Sequence, residues 1–228
     1  MTVGNNQKIT AAILAGGKSQ RMGTNKAFLL IDEEPIISHT ITTLRKITHD
    51  LLIVTNHPEL YAGFQAKAVR DLQLGLGPIG AILTALTLAE NSHVLVVACD
   101  LPFLNLKILW EMTKVMDNSD VVVPRSDYGL EPLCAIYNQS CLPAIKYAIS
   151  QGELSVFRLF NQIKVHQISP EVWQPLDPTG YAFLNLNTFK AFSSFMTSFK
   201  HSTIIKLKRL SHRHFKNVEF IVGFVELL

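Results

Sequence analysis

Cysteine is scarce in this chain of 228 residues: Cys99, Cys134 and Cys141 are an odd number with no zinc-ligand spacing. A disulfide framework and a cysteine-based metal site are therefore not expected, and a reduced compartment is. Long apolar runs are lacking too. None reaches the roughly 18 residues that a membrane-spanning helix needs. Met1–Lys8 is polar and carries no apolar segment of a signal peptide. These absences lead us to expect a cytoplasmic protein without a membrane role. Charge is sparse at 17%, against 48% hydrophobic residues, a balance that excludes disorder and suits a filled globular core. We find no internal repeat and no low-complexity linker.

Basic excess is also missing from most of the chain. Up to residue 190, 15 Lys/Arg face 16 Asp/Glu, whereas residues 191–228 hold six Lys/Arg against two acids. The net charge of +3 thus belongs to the tail. A nucleic-acid enzyme would carry its basic face across the main domain, so nucleic acid is not the expected partner.

What the sequence does contain is an alternation of buried strands and amphipathic helices. Strands are predicted at 9–14, 51–55, 66–70, 94–99, 120–124, 133–137, 165–168 and 181–186. Helices are predicted at 36–47, 79–89, 106–116, 142–150 and 154–160. The run at 94–99 is apolar without interruption, as in a central parallel strand covered on both faces. The order implies an α/β fold: a doubly wound, mainly parallel sheet with helices on both faces and right-handed crossovers. We expect one domain over residues 1–194 and a basic C-terminal extension over 195–228.

The first strand opens into Leu14-Ala15-Gly16-Gly17-Lys18-Ser19-Gln20-Arg21-Met22-Gly23-Thr24-Asn25-Lys26, which is glycine-rich, cationic and free of acids. Such a loop lets backbone N–H groups approach phosphate oxygens that the cations neutralise. It is not a Walker A loop, since five residues separate Gly17 from Gly23 and Thr24 follows. Nor is it a dinucleotide fingerprint, because Gly16 and Gly17 are adjacent.

Other notable groups fall at strand ends, where open α/β sheets bind ligands. Asn56 and His57 follow the second strand, Asp71 the third and Asp100 the fourth. Asp100 precedes Leu101-Pro102, a proline that stops the strand and holds the carboxylate at the rim. An acid facing a phosphate loop suits Mg2+, which takes one or two carboxylates and fills its remaining positions from phosphate and water. It could also serve as a helix cap. Asp71 leads into a tight loop with Gly75, Gly77, Pro78 and Gly80, fit to hold a base or ribose or simply to connect strand and helix. Asn185 and Asn187 would share one face of a strand end, and Asn187 could equally cap a helix. No Ser-His-Asp arrangement is suggested. The chemistry that remains is phosphoryl transfer, which needs positioning and charge neutralisation.

The pattern L-A-G-G-x-S-x-R-M-G-x-x-K resembles the signature loop of the nucleotidyltransferases, and among them of the molybdenum cofactor guanylyltransferases. Ala98-Cys99-Asp100-Leu101-Pro102-Phe103-Leu104, Gly77-Pro78-Ile79-Gly80, Glu131-Pro132-Leu133-Cys134-Ala135-Ile136-Tyr137 and Phe183-Leu184-Asn185-Leu186-Asn187-Thr188 are similar to further segments of that family, in order, over about 190 residues. The resemblance implies transfer of GMP from Mg-GTP to the terminal phosphate of molybdenum-molybdopterin, with loss of pyrophosphate. It places the backbone of Leu14, Ala15 and Gly16 on guanosine and Arg21 and Lys26 on the phosphates. Asn56 and Asp71 would contact the nucleotide, and Asp100 the nucleotide and Mg2+. Asn185 and Asn187 would lie on the pterin side. Transient contact with cofactor-maturation proteins is a further implication. Glu131 stands where glutamine is common in the family, Ala81 where many members have glycine, and Phe189-Lys190 where proline and acids are usual. A related transferase that uses CTP or makes a nucleotide sugar is the alternative. Residues from about 195 onward have no counterpart in the family pattern. They would form a packed extension, an added strand pair, a subunit contact or a basic docking site.

Overall fold

The computed structural model describes residues 8–16, 26–28, 30–31 and 33–184. In chain order the strands are β1 (Ile9–Leu14), β2 (Leu30–Ile31), β3 (Glu34–Pro35), β4 (Leu51–Thr55), β5 (Lys67–Arg70), β6 (His93–Ala98), β7 (Val121–Ser126), β8 (Gly129–Leu130), β9 (Cys134–Asn138) and β10 (Val165–Ile168). The helices are α1 (Ile36–Leu44), α2 (Pro78–Leu88), α3 (Leu106–Lys114), α4 (Leu142–Ser150), α5 (Val156–Leu159) and α6 (Pro170–Trp173).

The main sheet runs β10-β7-β9-β6-β1-β4-β5, with β8 paired to β7 as a hairpin. Only β8 and β9 run against the other strands of this sheet. Strand alternation explains the two cores. Ile9, Ala11 and Ile13 of β1 point to one face, where Ile37, Ile41 and Leu44 of α1 and Ile108, Leu109 and Met112 of α3 cover them. Ala12 and Leu14 point to the other, under Ile82 and Leu86 of α2 and Ile145 of α4. With both faces buried, β1, β4 and β6 have almost no polar residue to spare.

The chain leaves β1 for β4 and β5 on one side, then returns through α2 to β6 on the other side of β1. That reversal opens a crevice outside the carboxyl ends of β1 and β6, the place where open α/β sheets bind ligands.

The expected fold class holds, and so do most of the elements within a residue or two. Three differences are physical. The antiparallel direction of β9 was not expected, because hydrophobic patterning does not encode direction. The β2–β3 pair, turned through Glu33 at φ 70°, is too short to leave a periodic signal. Where a strand was expected at 181–186, Tyr181–Phe183 form a 3-10 turn, and 185–186 lie outside the described residues. Gly180 enters it in the left-handed region at φ 68°, and Asp177 Oδ2 accepts the Ala182 N–H at 2.8 Å, so the backbone closes a turn rather than extending. Phe183 then packs edge-on against Trp173. Arg21, Asn185, Asn187 and the boundary expected at 194 lie outside the described residues.

Candidate active site

The end of β1 is held by its neighbours through bonds that decide what it can offer a ligand. The Ala15 N–H donates to the Val54 carbonyl at 2.8 Å, and the Cys99 N–H donates to the Leu14 carbonyl at 3.2 Å. The Thr55 hydroxyl donates to the Ala15 carbonyl at 3.3 Å and accepts the His57 N–H. The Ala15 N–H is therefore committed to the sheet. The carbonyl lone pairs left over and the exposed Gly16 are what this strand end presents to the crevice. A Cβ built on Gly16 would meet no described residue within 4 Å, so none of the described neighbours demands glycine there.

Asp100 stands just beyond β6, only 8% exposed. The Lys26 Nζ lies 3.7 Å from its Oδ2, so this lysine and the rim carboxylate meet at the switch point. Cys99, beside this pair, is no nucleophile. Burial, reinforced by the Asp100 charge and opposed by Lys26, pushes its thiol up to about 12.

Asp71 follows β5 on the other flank of the crevice. Its Oδ1 accepts the Thr84 hydroxyl at 2.7 Å, and the same hydroxyl accepts the Leu72 N–H at 3.0 Å. Thr84 is fully buried on α2, so the helix fixes the carboxylate through one hydroxyl. The loop between them is shaped by Gly75 and Gly77, both at positive φ. Gly80 allows α2 to seat under it, since a Cβ there would stand 2.7 Å from Leu76 Cβ and 3.3 Å from the Gln73 carbonyl. Asn56 is exposed at the end of β4, on the same rim.

Leu14, Ala15, Gly16, Asn56, Asp71, Asp100 and Lys26 thus gather along one edge of the sheet, with Lys26 and Asp100 in direct ion-pair range. Three further groups on this rim carried little sequence signal. Thr84 read as one more helix residue. Ser126, at the end of β7, donates to Glu131 Oε1 at 2.5 Å and accepts the Tyr128 N–H at 3.1 Å. Glu131 is half-buried, and burial pushes its carboxyl above the usual range while the Ser126 bond pulls the other way. Among the described residues no group of three His, Cys, Asp or Glu could hold a metal by itself. No described helix is long and apolar enough to cross a membrane.

Comparison with known proteins is consistent with this geometry. The family model for the MobA-like NTP transferase domain matches residues 11–167. The molybdenum cofactor guanylyltransferase of Desulfosudis oleivorans is 35% identical over 182 residues, covering 79% of this chain and 90% of that protein. A probable molybdenum cofactor guanylyltransferase of Carboxydothermus hydrogenoformans is 38% identical over 182 residues, covering 80% of this chain and 92% of that one. In fold, the chain is similar to molybdopterin-guanine dinucleotide biosynthesis protein A of Archaeoglobus fulgidus, with a TM-score of 0.72 at 24% identity over 83% of this chain and 98% of that one. It is also similar to the 2-C-methyl-D-erythritol 4-phosphate cytidylyltransferase of Thermus thermophilus, with a TM-score of 0.64 at 16% identity over 84% and 98%. A rim that converges a glycine-ended strand, a lysine and a buried aspartate, on a chain matched through 11–167, makes this protein a nucleotidyltransferase of the MobA-like family.

Proposed function

We propose that the chain transfers GMP from GTP to the terminal phosphate of molybdenum-molybdopterin, giving the guanine dinucleotide cofactor and pyrophosphate. The observation that carries this reading is the Lys26–Asp100 pair at the switch point, in a chain whose curated relatives are named guanylyltransferases. An oxygen of the acceptor phosphate attacks the α-phosphorus, and the bond from that phosphorus to the bridging oxygen of the β-phosphate breaks. Negative charge builds on the phosphoryl oxygens during this exchange. Lys26, with Arg21 from the loop outside the described residues, meets that charge. Asp100 would supply the carboxylate of a one-carboxylate Mg2+ site, standing beyond β6 with the Lys26 Nζ 3.7 Å away, and water and phosphate oxygens would fill the other positions. Bound Mg2+ would neutralise triphosphate oxygens and the departing pyrophosphate.

Asp71 and the Gly75–Gly80 loop would receive the nucleoside, with Leu14, Ala15, Gly16 and Asn56 beside it. Asn185 and Asn187 would serve the pterin side. We take residues 1–194 as the transferase domain and 195–228 as a separate basic extension, in a cytoplasmic enzyme that meets cofactor-maturation proteins transiently.

The direct test is pyrophosphate release by purified protein with molybdopterin, Mg2+ and each NTP in turn. GTP should be the nucleotide consumed. Turnover with CTP or UTP but not GTP would sink the guanylyl assignment and favour the related transferases.

A second test concerns the nucleoside half of the site. Thr84→Val removes the hydroxyl that fixes Asp71 while keeping the side-chain volume. We expect KM for GTP to rise about tenfold, in line with the loss of a buried bond to a charged group, with kcat nearly unchanged. Thr84→Ser should restore KM to within about twofold of the parent. Equal KM values in Thr84→Val and the parent would detach Thr84 from nucleotide binding.

A further inference from the structure

The β7–β8 hairpin carries a second polar device on the rim, on the opposite side of Asp100 from the nucleoside groups. Because β7 runs parallel to β1 and β6, its last residue, Ser126, emerges at the same edge as Gly16 and Asp100. Because β9 is antiparallel, the segment that enters it, Glu131-Pro132-Leu133, begins at that edge too. The Leu133 carbonyl accepts the Ala98 N–H at 2.8 Å, two residues before Asp100. Glu131 itself is anchored by donating its N–H to the Pro124 carbonyl at 2.9 Å.

Three features of this hairpin belong together. Ser126, 8% exposed, uses its hydroxyl to tie the Glu131 carboxylate to the Tyr128 backbone. One oxygen of Glu131 is thereby occupied, and Oε2 takes no hydrogen bond from any described residue. Tyr128 stands 93% exposed at the tip, beside Gly129 at φ 120°. A half-buried carboxylate with one oxygen to spare suits a ligand that presents neighbouring N–H donors. An exposed aromatic ring three residues away on the same hairpin suits a flat heterocycle.

We infer that the Ser126–Tyr128–Glu131 hairpin is the recognition site for the pterin ring of the acceptor. Glu131 accepts from its amino and ring N–H edge, and Tyr128 packs on its face. The occupant follows from the sheet. Asp71 and Asn56, the nucleoside groups of that reading, lie at the β4-β5 end of the rim, so the β6-β9-β7 end is the part left for the second substrate. This rests on the guanylyl-transfer reading for the identity of the acceptor. Ser126 is a positioning residue, acting through Glu131.

The test is equilibrium binding of metal-free molybdopterin, followed by its fluorescence, with and without a non-hydrolysable GTP analogue. Glu131→Ala should weaken binding about ten- to a hundredfold. Tyr128→Ala, at a position too exposed to affect folding, should weaken it about fivefold. Affinity for the GTP analogue should move less than about twofold in both, a split that a general loss of structure would not produce. Glu131→Gln, which keeps one carbonyl acceptor, should fall between Glu131→Ala and the parent. Pterin affinity unmoved in both Glu131→Ala and Tyr128→Ala overturns the inference, as does a parent protein that binds no molybdopterin under either condition. Failure of the transferase reading would appear separately, as absent GTP consumption by a parent that still binds the pterin.

Discussion

Asp100→Asn is expected to lower kcat for GMP transfer about a thousandfold while leaving the fold in place. The substitution keeps the shape of the side chain in a position only 8% exposed, so the packing around Cys99 and Leu101 has no reason to change. What it removes is the negative charge. Asparagine is a weak ligand for Mg2+, and it no longer pairs with Lys26, whose Nζ lies 3.7 Å from the native carboxylate. The loss should fall on kcat more than on KM for GTP, since the charge matters most as the α-phosphate oxygens become more negative. Pyrophosphate release at saturating GTP and Mg2+ measures the first, and equilibrium GTP binding the second. Thermal unfolding run in parallel should move by only a few degrees. Turnover within about tenfold of the parent would remove Asp100 from the metal site.

How far the sequence reaches toward this site depends on what each role is made of. Asp100, Asp71 and Gly16 were legible because each follows a strand, and the ends of parallel strands share one edge by topology. Lys26 was legible only through its motif. Its approach to Asp100 spans 74 positions of chain, a distance that no periodicity records. The partial commitment of the Ala15 backbone was hidden as well, because its N–H bonds to β4 rather than to anything nearby in sequence. Thr84 and Ser126 escaped notice for the same reason. Each acts through one hydroxyl whose partner lies across a loop, Thr84 on Asp71 and Ser126 on Glu131. Glu131 could be singled out only as a departure from a resembling pattern, with no hint that a serine holds it.

The fold shows a parallel division. Burial on both faces wrote β1, β4 and β6 into the sequence as apolar runs. The direction of β9 left no such trace, yet it brings Glu131 to the edge where β1 and β6 end, because only an antiparallel strand in that slot starts where its neighbours end. Over 181–183, the first part of an expected strand, hydrogen bonds donated to Asp177 close a turn instead.

Lys26→Met is the complementary experiment, with an expected fall in kcat/KM of about a hundred- to a thousandfold. Methionine preserves most of the apolar stem, so the side chain is replaced by one of similar length without the ammonium. Arginine should recover little. Its planar fork is larger than the ammonium and must fit where the lysine side chain is only 14% exposed, 3.7 Å from Asp100. The decisive form of the test is the double variant. If Lys26 and Asp100 act on the same developing charge, removing the second after the first costs much less than removing it alone. Lys26→Met/Asp100→Asn should then lie within about tenfold of the slower single variant, rather than at the product of both losses. Independent, multiplying losses would mean that the two side chains serve different steps, and that their proximity at the switch point is a structural ion pair rather than one catalytic device.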